Sequence, residues 1–303
     1  MKKKRGTKKG EITSQQIVLL IVLIISFAVI LYFLFTLNLG KTSDSDVCHN
    51  SVTERGSGVI PSESIPLNCK TSYICLTKDG SCEKMTNPQI EKVSTATEVY
   101  ATLAQQMADC WWMFGEGKLN YVGKDFNSEL YCSICSQVVF DNSLTMFPNG
   151  QIQQSDFYDY MANTKMSNQN ITYLDYLVGL NTAIDMKTTL ATNGASFGTI
   201  DISKQYYVMM GIFSKVGVLK WTLVAGGAGI VVAGITVATA GVGTIPALII
   251  ITGAGGAAGT AGYLMGTKVS GESGNDYISP TIIEADPSIL ASKLKCASIK
   301  TLA

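Results

Sequence analysis

Histidine is almost missing from this chain: His49 is the only one. A Ser-His or Cys-His pair therefore has one candidate base, and metal sites built from several histidines are excluded. Charge is sparse as well. Asp, Glu, Lys and Arg make up 15% of the residues, against about 25% in an average soluble protein. Lys+Arg and Asp+Glu both total 23, so there is no basic excess of the kind that holds nucleic acid. The HExxH and P-loop patterns are also absent. No catalytic, cofactor-binding or metal-ligating residue is assigned, no cofactor is expected, and an enzyme is the less favoured class.

What is present is uneven. The apolar surplus lies in two blocks, 17–37 and 221–266, and the remainder reads as a polar, tyrosine-rich domain. The first block, IVLLIVLIISFAVILYFLFTL, has 21 residues and no charge. A helix of that length rises about 1.5 Å per residue and spans a hydrocarbon core of about 30 Å. Lys2, Lys3, Lys4, Arg5, Lys8 and Lys9 precede it, which places its start in the cytoplasm. A removable secretory signal has an apolar region of only about 7 to 15 residues with small residues after it. Here the run is longer and carries Tyr32, Phe33 and Phe35 near its end. An uncleaved transmembrane helix is the expectation.

Directly before that run stands Lys8-Lys9-Gly10-Glu11-Ile12-Thr13. This motif, with residues 8–36 as a whole, resembles the class III signal of archaeal type IV pilin-like proteins. The resemblance implies cleavage by a dedicated peptidase between Gly10 and Glu11, with the apolar helix kept in the mature chain. A plain signal anchor accounts for the same residues.

The eight cysteines are Cys48, Cys69, Cys75, Cys82, Cys110, Cys132, Cys135 and Cys296. All follow the first apolar block and none lies inside either block. An even number in a translocated segment predicts a disulfide framework. One pairing is suggested locally: the Asp79-Gly80 turn signal lets Cys75 and Cys82 meet across a hairpin. Cys132-Ser-Ile-Cys135 is open to three readings. The sulfurs are structural, or they form a thiol–disulfide redox pair, or they hold zinc with Cys69, Cys75 or Cys82.

Between the blocks, spacing predicts an α+β domain. Asn87-Pro88 resembles a helix start, and Ile90, Val93, Tyr100, Leu103, Met107, Trp111 and Phe114 recur at helical intervals up to Gly115 and Gly117. The run Trp111-Trp112-Met113-Phe114 reads as core, with an aromatic ligand box as the other reading. Residues 130–140 and 204–213 read as strands, Phe147-Pro-Asn-Gly150 as a turn, 155–163 and 172–180 as short helices, and 287–296 as a helix in the tail. Residues 48–88 read as loops with short hairpins. Glu116, Asp125, Glu129 and Asp141 read as a solvated face. Asn170-Ile-Thr172 is an N-glycosylation acceptor motif.

The second block has no charged residue between Lys220 and Lys268, roughly twice the length of one crossing. Gly, Thr and Pro near its middle predict two helices, 221–239 and 245–266. Small residues repeat every fourth place: Ala225, Gly229 and Ala233 in one, Ala254, Ala258, Gly262 and Gly266 in the other. Such stripes pack helices closely in lipid. A hairpin buried in a soluble domain and a membrane-inserting hairpin are the competing readings.

The expected architecture is thus an α+β disulfide-rich ectodomain with an N-terminal transmembrane helix and a C-terminal Gly/Ala-rich transmembrane helical hairpin. Its parts are a cytoplasmic basic segment (1–16), a transmembrane helix (17–37), an extracytoplasmic domain (38–218), the apolar hairpin (219–268) and an extracytoplasmic tail (269–303). A membrane-anchored cell-surface structural or interaction protein follows, with a pilus-like or secretion assembly as its setting. Its partners are the lipid membrane and other proteins, or further copies met through membrane helices, and not nucleic acid. The alternatives are a membrane-tethered thiol-disulfide oxidoreductase and a pore- or fusion-type effector.

Overall fold

The computed structural model describes residues 14–36, 44–58, 65–122, 130–167, 169–179, 191, 197–213, 230–234, 247–252, 262–270 and 275–300. Helix α1 (Ser14–Thr36) has 23 residues and no charge, and its side chains from Ile17 to Ile30 are exposed on every side. Among the described residues no helix is long and apolar enough to cross a membrane. α1 belongs to a unit of its own, Met1–Ser43, and Asp44–Ala303 forms a second.

The second unit is built on a mixed sheet with helices on one face. Its elements are α2 (Asp44–Gly56), β1 (Ser72–Thr77), β2 (Gln89–Lys92), α3 (Ala96–Met113) and β3 (Leu130–Phe140). Then come β4 (Gln151–Gln153), α4 (Gln154–Asn163), α5 (Tyr173–Val178), β5 (Thr199–Asp201) and β6 (Gln205–Phe213). β7 (Ile230–Gly234), β8 (Ala247–Thr252), β9 (Gly262–Ser270), β10 (Asp276–Glu284) and β11 (Cys296–Lys300) complete the order. The large sheet runs β2-β1-β3-β6-β10-β9-β8-β7, with β11 also beside β3. β1 lies parallel to β2 and β3, β11 lies parallel to β3, and the remaining pairs are antiparallel.

α3 is the keystone of the covered face. Thr95 caps it: its side chain accepts from Glu98 N–H, and the Glu98 carboxylate accepts from the Thr95 N–H in return. This reciprocal pair satisfies two of the free donors of a helix start. One flank of α3 buries Val99, Leu103, Ala104, Met107, Ala108, Cys110 and Trp111. Each large apolar side chain so buried contributes about 1.5–3 kcal/mol. They meet Val138, Tyr206, Val208, Met210, Ile212 and Tyr277 from the sheet in one core. The helix stops at three successive left-handed residues, Gly115, Glu116 and Gly117. On the other face Leu130, Cys132, Met209, Phe213, Ile278 and Ile283 form a smaller core, closed by Leu290 and Leu294.

Several expectations hold: β3 covers 130–140, β6 covers nearly all of 204–213, and α4 and α5 lie where short helices were predicted. Others are corrected. The start at Asn87-Pro88 is wrong, because Gln89–Lys92 pairs with β1 as a parallel strand and α3 begins only after Thr95. Residues 48–56, read as loop, belong to helix α2, which has Asp44 and Asp46 in its first turn, where negative charge favours a helix. In the tail the helical run starts at Pro287 as expected but ends at Lys293, its last five residues forming a π-helical turn. Cys296 then opens a strand.

The largest correction concerns the second apolar block. Its helices at 221–239 and 245–266 are not found among the described residues. Ile230–Gly234, Ala247–Thr252 and Gly262–Ser270 are strands of an antiparallel ribbon, and β9 joins β10. The reason lies in local composition. Ile230-Val-Val and Ile249-Ile-Ile are β-branched runs that suit a strand, and glycine weakens a helix by about 1 kcal/mol per residue. The sheet therefore takes strands from beyond residue 218.

Candidate functional site

The cysteines converge on β3. Cys132 and Cys135 lie on one strand, and the chain shifts register between Ile134 and Ser136. Cys135 bonds Cys110 on α3, and Cys132 bonds Cys296 at the start of β11. The two sulfurs of the CxxC therefore serve opposite faces of the sheet. Both residues are buried, Cys132 fully. The pairing of Cys75 with Cys82 is as expected, although Cys82 lies in the loop after the turn and not on an opposing strand. There Asp79 accepts from the Ser81 and Thr77 hydroxyls, and these bonds hold its carboxyl below the usual range. Cys48 bonds Cys69, tying α2 to the segment before β1. All eight cysteines are paired, so the sulfurs considered for zinc or redox exchange are engaged with one another.

The aromatic run at the end of α3 divides in two. Trp111 and Phe114 are core: Trp111 meets Tyr277 edge-on, and Phe114 meets Tyr121. Trp112 points the other way, and His49 of α2 lies flat on it at 4.1 Å between ring centres. The Trp112 carbonyl accepts from His49 Nδ1 at 2.7 Å. Among the described residues no enclosed aromatic box forms around Trp112.

This outer side of α3 carries a polar seam. Tyr173 of α5 donates to Gln105, whose amide donates to Asp109; Tyr176 donates to Glu116 at 2.7 Å. Burial raises the Asp109 carboxyl above its ordinary value. Burial also pushes the Tyr176 phenol up, and the bond to Glu116 adds to it. Glu116 behaves in the opposite sense. Its burial works to raise it, but hydrogen bonds from Lys118 and Tyr176 and the charge of Lys118 hold it low. Glu116 sits at φ +54°, an uncommon backbone state for a residue with a side chain. The seam satisfies its own donors and acceptors, and what it does is join α2 and α5 to α3.

The remaining predicted positions are not brought together. Asp141 accepts from Ser143 N–H at the end of β3, away from the partners of Glu116. Asp125 and Glu129 lie outside the described residues, as do Gly10, Glu11, Ala225, Gly229, Ala254 and Ala258. Ala233 is on β7, and Gly262 and Gly266 are on β9. These three are strand residues, so the helix-packing stripes do not exist there. Among the described residues no group of three or more His, Cys, Asp or Glu could hold a metal ion.

Sequence reasoning missed the His49–Trp112 stack and the Tyr176–Glu116 bond. Both join residues roughly sixty positions apart, and nothing local announces such pairs. No family model, no curated protein and no solved structure matches the chain.

Proposed function

We propose that this chain is a membrane-anchored structural or interaction protein of the cell surface. α1 is its anchor and Asp44–Ala303 faces away from the cytoplasm, as part of a pilus-like or secretion assembly. The observation that carries the reading is the separation of two features. An uncharged 23-residue helix follows a basic N-terminus, and every cysteine lies beyond it in a disulfide. Disulfides persist outside the reducing cytoplasm, and positive charge stays inside it. The uncharged run 17–37 has 21 residues, about the number that one helical crossing takes. The Gly10-Glu11 signal resemblance supports the assembly setting.

The test is fractionation of cells bearing the full chain, followed by protease protection. The chain should stay with membranes through alkaline extraction and leave only in detergent. Protease added to cells stripped of their outer layers should digest Asp44–Ala303. A chain found in the aqueous fraction, or cysteines found free in the cytoplasm, would remove the proposal.

A second reading, the membrane-inserting effector, draws on the ribbon β7-β8-β9, which up to Lys268 in β9 belongs to the uncharged run that follows Lys220. Dye release from lipid vesicles by the full chain would favour it, and intact vesicles would count against it.

A further inference from the structure

We infer that Asn170 is a site of N-linked glycosylation, taking an oligosaccharide from a lipid-phosphate or lipid-pyrophosphate donor. The inference rests on the extracytoplasmic placement proposed above, and local geometry carries it further.

Asn170-Ile171-Thr172 meets the chemical requirement of the reaction: an Asn amide, a middle residue other than proline, and a hydroxyl two places on. The structure sets this triplet at the end of a tight excursion between α4 and α5. Lys165 and Thr172 form a bridge across its base. Met166 N–H donates to the Ile171 carbonyl, and Gln169 N–H donates to the Met166 carbonyl. Ser167, Gln169 and Asn170 at the tip are exposed. The hydrogen bond described for the Asn170 side chain is at Oδ1, which accepts from Lys165 Nζ. Nδ2, the atom that takes the sugar, is not used by that bond.

Thr172 has a second duty. Its Oγ1 accepts from Asp175 N–H and caps α5. An accepting oxygen keeps its own proton free to donate, so the cap and the acceptor role do not conflict. Helix α5 itself turns Leu174, Leu177 and Val178 into the core and ends at left-handed Gly179. The sugar would therefore stand on the solvent side of a well-fixed turn, and no buried side chain need move to admit it.

In the transfer, Nδ2 forms a bond to the anomeric carbon of the donor sugar. The bond from that carbon to the phosphate oxygen breaks, the lipid phosphate or pyrophosphate leaves with the electron pair, and the amide gives up one proton. A bulky hydrated chain at this turn would keep the α4–α5 side clear of protein partners and direct assembly to other surfaces.

The experiment is peptide mapping by mass spectrometry of the full chain, taken from membranes of the cells that make it. Wild type, Asn170→Gln and Thr172→Ser are compared, with protease protection run on the same cells. The expected result is an Asn170 peptide heavier by a series of sugar masses, lost in Asn170→Gln and kept in Thr172→Ser. An unmodified Asn170 in a chain that protease reaches from outside overturns this inference and leaves the anchored placement standing. An unmodified Asn170 in a chain shielded from protease overturns both.

Discussion

Cys132 on β3 and Cys296 on β11 are joined by a disulfide across 164 residues of sequence. The bond pins the C-terminal strand to the strand that also meets β1 and β6, and it lies in the smaller core beside Leu290 and Leu294. A cross-link of this span restricts the unfolded chain strongly. Replacing both cysteines by serine should lower stability by about 3–5 kcal/mol. Denaturant unfolding of the oxidised proteins measures this. An unchanged midpoint would mean that β11 needs no bond to stay in place.

Gly211 on β6 lies opposite Cys132 on β3. A Cβ added there would meet Leu130 Cδ1 at 2.6 Å, and Leu130 is fully buried. Gly211→Ala should therefore destabilise by about 1–3 kcal/mol through overpacking. Adding Leu130→Ala should recover part of that loss, and strictly additive costs would show that Leu130 is not the obstacle.

Thr95 and Glu98 close the start of α3 on each other. Thr95→Ala should cost about 1 kcal/mol. Asn87→Ala should leave α3 in place, because that residue precedes β2 and not the helix. Amide exchange in the first turn of α3 distinguishes the two, and faster exchange in the Asn87 variant would restore the earlier helix start.

High pH should unfold the domain through its tyrosines. Burial raises the phenols of Tyr121, Tyr158 and Tyr176 above their ordinary value. Unfolded tyrosine ionises near 10. The unfolded chain therefore releases these protons first. The stabilisation is complete below about pH 10 and is lost progressively as pH rises beyond it. Tyrosinate absorbance and circular dichroism followed together should change in one step. Phenols that titrate at the ordinary value while the fold persists would contradict the burial.

Much of the second unit was legible along the chain, and the reason differs by element. β3 and β6 are rich in β-branched, aromatic and other apolar residues and are bounded by polar ones, so their limits show. α4 and α5 are short but are followed by Thr164 and Gly179, which end them. α2 was illegible because it is mostly polar and buries only Cys48, Ser51 and Val52. β2 was read as helix because Ile90 and Val93 happen to fit the spacing of the helix beyond. Little of the candidate site was legible: the Cys75–Cys82 pair was visible from its short loop, and the other three bonds were not.

The amino-acid order by itself determined the uncharged N-terminal helix with its basic flank, the mixed α and β character, and the oxidised state implied by eight cysteines past that helix. Each of these depends on composition or on neighbours within a few turns. Tertiary structure alone decided which sulfurs meet, that His49 stacks on Trp112, and that the apolar run after Lys220 supplies strands to the sheet. The physical reason is range. Helix pairing and strand pairing both suit an uncharged, glycine-spaced run, and the free edge of β10 selects the strand by completing backbone hydrogen bonds that no local signal can foresee.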